Sequence, residues 1–287
     1  MQEYKSYDKN GGFTGGGNGT SLSMTNNVDF NFSQTTDSGL TMTLAVGLSG
    51  AGNVDDEKLS ISGDFGTIRI SNDQEGVGDS AINGGGQTND ETTSLKPGLG
   101  KYGTSLATGA MVSYYTPAMN GLSAAVSFAD SGTANKADTT EMRVAYSADM
   151  SGTAVSVDYV SSSTDDNGTT TSGVDATSMG ISIAQGAFAF AGNMATKSDN
   201  NASYDYSSTS LGASYTMANG MKIGVYQNNG DDDKDTDYAW EQTAASIDYT
   251  IAPGLSTGIT LTDSELTDTS GNKTYDDYTV IHLTAKF

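Results

Sequence analysis

The chain has 287 residues, 35% hydrophobic and 17% charged, with 36 glycines, 3 prolines and no cysteine. Its 35 acids against 13 bases give a formal net charge of −22, which argues against nucleic acid as a partner, because phosphates need Lys and Arg. The lack of cysteine excludes disulfides, thiolate metal sites and cysteine catalysis, and no run of 18 apolar residues exists to make a transmembrane helix.

A chain this polar could be disordered, yet 15 Tyr and 8 Phe recur along its whole length. One ordered class tolerates such an average: a barrel whose strands place an apolar residue outside, in lipid, and a polar one inside. The start, MQEYKSYDKN, has neither a basic nor an apolar segment; either the protein is cytosolic or a signal peptide has been removed. Residues 2–7 make a short candidate first strand. From Leu22, the apolar Leu22, Met24, Val28, Phe30 and Phe32 alternate with polar Ser23, Thr25, Asp29 and Asn31, the period of a half-buried strand. After the turn TTDSG, Leu40, Met42, Leu44, Val46 and Leu48 share one face. Leu59 and Ile61 follow, and GDFG turns directly into Ile68 and Ile70. The polar stretch 73–107 shows no periodicity.

Beyond it the alternation becomes regular, with runs near 109–115, 122–130, 139–148, 153–162, 175–184, 187–196, 205–217, 221–228, 238–250, 255–263 and 276–287. Counting residues 2–7, sixteen strands are predicted, the even number an antiparallel barrel requires. Short turns such as PAMNG, DMSGT, QGA, MANG and APG alternate with long polar loops such as STDDNGTTTSG, KSDNNAS, NGDDDKDTD and DSELTDTSGNK. Short turns on one rim and long loops on the other is the layout of an outer-membrane barrel.

LSISGDFGTIRIS (59–71), the long segment after it, NGLSAAVSF (120–128) and the terminal VIHLTAKF together resemble the Gram-negative general porins, of the alphaproteobacterial kind. The resemblance implies an all-β transmembrane antiparallel barrel formed by one domain, 1–287. It also implies that residues 73–107 are the long third loop, folded inward to constrict the pore. The first strand is shorter than the family's, so that its missing half has been cut or another segment closes the seam. Further implications are an outer-membrane location, a bilayer with lipopolysaccharide as surroundings, a homotrimer, and Phe287 as the signal read by the assembly machinery.

Strand parity sends Lys58, Arg69, Arg143 and Lys222 into the lumen, together with Asp29, Glu141, Asp158 and Asp248. A charge facing lipid near the midplane costs about 2–4 kcal/mol, so inward placement follows from the fold alone. A functional reading adds a transverse field, in which these bases face the third-loop acids Asp73, Glu75, Asp79, Asp90 and Glu91. The single histidine, His282, points inward without a catalytic constellation. NVDDEK and NGDDDKDTD lack EF-hand spacing and read as solvated acidic loops, with Ca²⁺ as the alternative. The expected function is passive diffusion of small hydrophilic solutes and ions, mildly favouring cations, without cofactor or enzymatic activity. The alternative is a secreted or surface-anchored acidic β-rich adhesin or calcium-binding protein.

Overall fold

The computed structural model describes residues 2–8, 20–25, 28–48, 54–72, 76–87, 106, 109–130, 138–165, 173–199, 204–275 and 277–286. Nearly all of them are strand. In chain order these are β1 (Gln2–Asp8), β2 (Thr20–Thr25), β3 (Val28–Thr35), β4 (Thr41–Leu48), β5 (Val54–Gly63) and β6 (Gly66–Ser71). Two short 3₁₀ turns, Val77–Ser80 and Gly84–Gln87, precede β7 (Ala110–Tyr115), β8 (Leu122–Asp130), β9 (Thr139–Asp149) and β10 (Thr153–Thr164). The remainder are β11 (Val174–Gln185), β12 (Phe188–Asp199), β13 (Asp205–Thr216), β14 (Lys222–Asp232), β15 (Asp235–Ala252), β16 (Leu255–Thr267), β17 (Lys273–Tyr275) and β18 (Tyr278–Ala285).

Every ladder is antiparallel, and from β3 to β16 each strand pairs with the next in sequence. β17 and β18 continue one register against β16, from Glu265↔Tyr275 to Thr262↔Tyr278, and are two parts of one strand. β2 and β3 lie two residues apart and run in the same direction, so they are likewise halves of one strand, which leaves sixteen. β1 pairs with β18 on one side (Tyr4↔His282) and with β2 on the other (Tyr4↔Ser23). The short first strand therefore fills the seam itself.

The burial pattern is that of a soluble protein turned inside out. Large apolar side chains such as Phe30, Phe128, Met179, Phe190, Leu211, Val225 and Ile281 are exposed on the outer face. On the inner face Ser113, Ser127, Glu141, Asp158, Ser178, Ser210, Asn228 and Gln242 are buried. In water this arrangement would be unstable, since apolar surface loses about 25 cal/mol per Å² left exposed. In hydrocarbon it is required. No helix among the described residues is long and apolar enough to cross a membrane; the strands cross it. The short turns close tightly, with Gly66 and Gly121 at φ of 107° and 87°, a region where other residues are strained.

The strands at the long-loop rim extend further than periodicity predicts. NGDDDKDTD, expected to be a loop, is mostly hairpin: β14 runs to Asp232, β15 begins at Asp235, and a register shift falls at Asp231/Asp232. β16 likewise continues to Thr267. Inward-facing aromatic side chains hold this extension together. Tyr204 stacks on Tyr206 at 4.6 Å, Tyr206 on Tyr238 at 5.6 Å, and Trp240 meets Tyr206 edge-on at 5.9 Å. Trp240 also donates its indole N–H to Asn228 Oδ1 at 3.1 Å. Burial, and then the Asp199 carboxylate, push the Tyr204 phenol above its ordinary range.

The two faces make opposite demands on a charge. Ile181→Lys, on the outer face near the middle of β11, is expected to destabilise the barrel by about 2–4 kcal/mol. Ser182→Lys, on the inner face, should cost far less. Urea titrations of both variants in lipid vesicles measure the difference, and equal losses would overturn the assignment of faces.

Candidate functional site

The segment 76–87 lies inside the barrel and follows the inner wall. Its first 3₁₀ turn packs against β8, β9 and β10, its second against β12, β13 and β14. Irregular backbone in an interior carries N–H groups that must find acceptors. Here the wall supplies them one strand at a time. Val77 N–H donates to Ser127 Oγ on β8 at 3.2 Å, and Gly78 N–H to Glu141 Oε2 on β9 at 2.9 Å. Ile82 N–H donates to Asp158 Oδ2 on β10 at 3.0 Å, and Gly84 N–H to Ser210 Oγ on β13 at 2.8 Å.

Glu141 is the centre of this attachment. Its residue is 0% exposed, and its second oxygen, Oε1, accepts the Leu106 N–H at 2.7 Å. One carboxylate thus holds both limbs of the 73–107 stretch, Gly78 on its way in and Leu106 on its way out. Ser127 Oγ–H adds a third donor at 3.4 Å. An ionised carboxylate can be buried only with such donors. Asp158 is held differently, through one oxygen: Arg143 approaches its Oδ2 with Nε and Nη2, both at 2.9 Å, beside the Ile82 N–H. The close approach also constrains β11. A Cβ on Gly180 would stand 2.6 Å from the Ile82 carbonyl oxygen and 2.7 Å from Asp158 Oδ1, so only glycine fits beneath the segment.

The residues singled out from the sequence have separate fates. Asp79 lies on the first 3₁₀ turn and is exposed. Asp73, Glu75, Asp90, Glu91 and Phe287 lie outside the described residues. Lys58 on β5 and Arg69 on β6 are half-buried on the inner face, and the Arg69 guanidinium sits 5.1 Å from the centre of the Tyr115 ring. Arg143 faces inward, but its charge is matched by Asp158 at the wall. Lys222 pairs across the ladder with Asp248 near the short-turn end. His282 is buried there, its Nε2 3.6 Å from Asp248 Oδ1. Among the described residues no group of three or more acidic or histidine side chains could hold a metal ion.

Strand parity places Glu141 and Asp158 on the inner face but carries no sign that they anchor the segment. The available signal was two acids and an arginine on the inner face of adjacent strands, in a lumen where a charge without a task need not occur. Ser127 and Ser210 gave no signal, since serine is the common inward residue of this wall.

A sixteen-strand antiparallel barrel, apolar outside and polar inside, with a chain segment fastened within its lumen, is the architecture of an outer-membrane channel protein. The family model for Gram-negative porins matches residues 2–269, and the chain belongs to that family. It resides in the outer membrane, where the family provides channels for diffusion of small solutes. No curated protein sequence matches the chain. Among solved structures it is similar to an anion-selective porin from Comamonas acidovorans, with a TM-score of 0.72 at 15% identity over 100% of this chain and 98% of that one. It is also similar to OmpT, an outer membrane protein of Vibrio cholerae, with a TM-score of 0.72 at 13% identity, covering 100% and 95% of the two chains. Salmonella typhi OmpF in complex with daunomycin gives a TM-score of 0.72 at 12% identity, with coverage of 100% and 95%. At these identities the likeness is one of fold.

Replacing Glu141 by Ala leaves the Gly78 and Leu106 N–H groups without their acceptor, a loss of about 1–3 kcal/mol for each buried donor. The expected outcome is faster proteolysis within 73–107 and a noisier single-channel current, with the barrel still heat-modifiable in detergent. Glu141→Gln, which keeps one acceptor oxygen, should fall between. Proteolysis and current unchanged in the Ala variant would show that the clamp does not position the segment.

Proposed function

We propose that this porin is a passive, water-filled pore for small hydrophilic solutes and ions with a mild preference for cations. The inside-out burial carries the channel reading: a buried face of Ser, Thr, Asn, Gln and charged side chains has no use except to line water or another polar chain. The segment 73–107, followed inside the wall over 76–87, is on this reading the constriction. On the same reading the acids of that stretch, Asp73, Glu75, Asp79, Asp90 and Glu91, together with Lys58 and Arg69 of the wall, set up a transverse field that orients dipolar solutes. The preference for cations is supported by the net charge of −22; the Arg143–Asp158 pair is neutral and adds nothing to either side of the balance. Like-charged surroundings concentrate counter-ions. Anion selectivity in the Comamonas acidovorans porin does not oppose this, because wall charges are set by individual residues and not by the fold. A KCl gradient across a planar bilayer containing the protein should give a reversal potential of the cation-favouring sign, and an anion-favouring sign would overturn the preference.

We also propose a homotrimer in the membrane. The family resemblance supports it, as does a trimer form of the similar Vibrio cholerae OmpT. Cross-linking in mild detergent should yield a trimer band, and monomer alone at every cross-linker concentration would exclude it.

A further inference from the structure

At the short-turn end of the lumen, Lys222, Asp248, Ser256, His282, Thr284 and Lys286 line one recess of about 460 Å³. They come from β14, β15, β16 and the end of β18, and all of them occupy inner-face positions. The location is fixed by the turns beside it: Lys222 follows the turn at Gly220, and Ser256 follows that at Gly254, whose carbonyl accepts the Lys286 N–H at 2.7 Å. Beside the recess, β16 carries glycine where Asp248 and His282 approach each other. A Cβ on Gly258 would stand 2.5 Å from Asp248 Oδ1 and 2.6 Å from His282 Cε1. Without it, the carboxylate and imidazole meet at 3.6 Å across the strand.

Charge here runs against the rest of the molecule. Asp248 is the single acid, and it also accepts the Ser246 hydroxyl at 3.2 Å. Facing it are Lys222, directly opposite in the ladder, the His282 ring, and Lys286, which is exposed at the rim. Two lysines against one carboxylate leave a positive excess before the imidazole is counted, in a chain whose formal charge is −22. Pairing Asp248 with Lys222 would suffice for a structural ion pair. Lys286 adds a second cation to the same cavity, beside the hydroxyls of Ser256 and Thr284. Flexible ammonium groups and neutral hydroxyl donors around a hydrated recess are the groups that recognise oxyanions.

We propose that this recess is a docking site for small oxyanions, phosphate or carboxylates, at the short-turn mouth of the pore. It rests on the channel reading for its access from solution, and it makes the lumen locally anion-binding within a conduit that favours cations as a whole. An anion held there lies beside the passing stream and leaves through the same mouth.

Calorimetric titration of inorganic phosphate into the detergent-solubilised protein tests the site independently of conduction. The wild type should bind saturably, and the Lys222→Gln/Lys286→Gln double variant should bind about tenfold more weakly, equivalent to about 1.4 kcal/mol. Lys197→Gln, which removes an inward lysine near the other rim, should leave binding unchanged. A heat-modifiable band in each variant confirms an intact barrel. The proposal is overturned if the wild type shows no saturable phosphate binding, if the double variant binds as the wild type does, or if Lys197→Gln weakens binding equally. Failure of the pore reading would appear separately, as absence of KCl current in a planar bilayer.

Discussion

Backbone N–H and C=O groups in hydrocarbon have no water to bond, and this constraint governs the rest of the structure. A sheet meets it only when its edge strands find each other, which here falls to β1, seven residues long, between β18 and β2. Once the backbone is paired in this way, each strand has one face in lipid and one in the lumen. The side-chain pattern follows: Met142, Val144 and Tyr146 outward, Glu141 and Arg143 inward, along a single strand. The polar average composition is a direct result, since half of each strand belongs to an aqueous interior.

The same constraint reappears on a smaller scale inside the barrel. A chain segment without regular structure cannot lie against the wall unless its own N–H groups are accepted, and the wall has only side chains to offer. Ser127, Glu141, Asp158 and Ser210, on β8, β9, β10 and β13, act as a replacement ladder along the wall. Carboxylates suit the task because two lone-pair-rich oxygens accept from two directions, as Glu141 does from Gly78 and Leu106. Glycine is needed where backbone meets backbone, at Gly180 beneath Ile82. Arg143 allows a second acid to be buried by matching the charge of Asp158. Lumen charges in such a protein therefore serve two purposes, fastening the internal segment and setting the field for solutes, and a single residue can be withdrawn from one by the other.

Electrostatic character is accordingly local. The overall charge is strongly negative, whereas Arg69 lies over the Tyr115 ring on one part of the wall and Lys222, His282 and Lys286 gather at the short-turn mouth. With a Debye length of about 8 Å at physiological ionic strength, charged groups on the wall much further apart than that act nearly independently on a passing ion.

What the sequence determined by itself was everything that depends on a period of two. The alternation from Leu22 to Phe32, and again from β8 to β16, fixed which residues face lipid and gave sixteen strands, because side-chain direction in a strand is a property of consecutive residues. Inward placement of Lys58, Arg69, Arg143, Lys222 and His282 followed by the same rule. Only the tertiary structure decided the contacts between residues distant in sequence. NGDDDKDTD became hairpin because Tyr206 and Trp240, on separate strands, pack above it, overriding the turn preference of its aspartates. Glu141 became a clamp because Gly78 and Leu106, 63 and 35 residues away, reach its two oxygens. No local pattern encodes such meetings; they arise when the closed wall brings an acceptor and a wandering backbone to the same place.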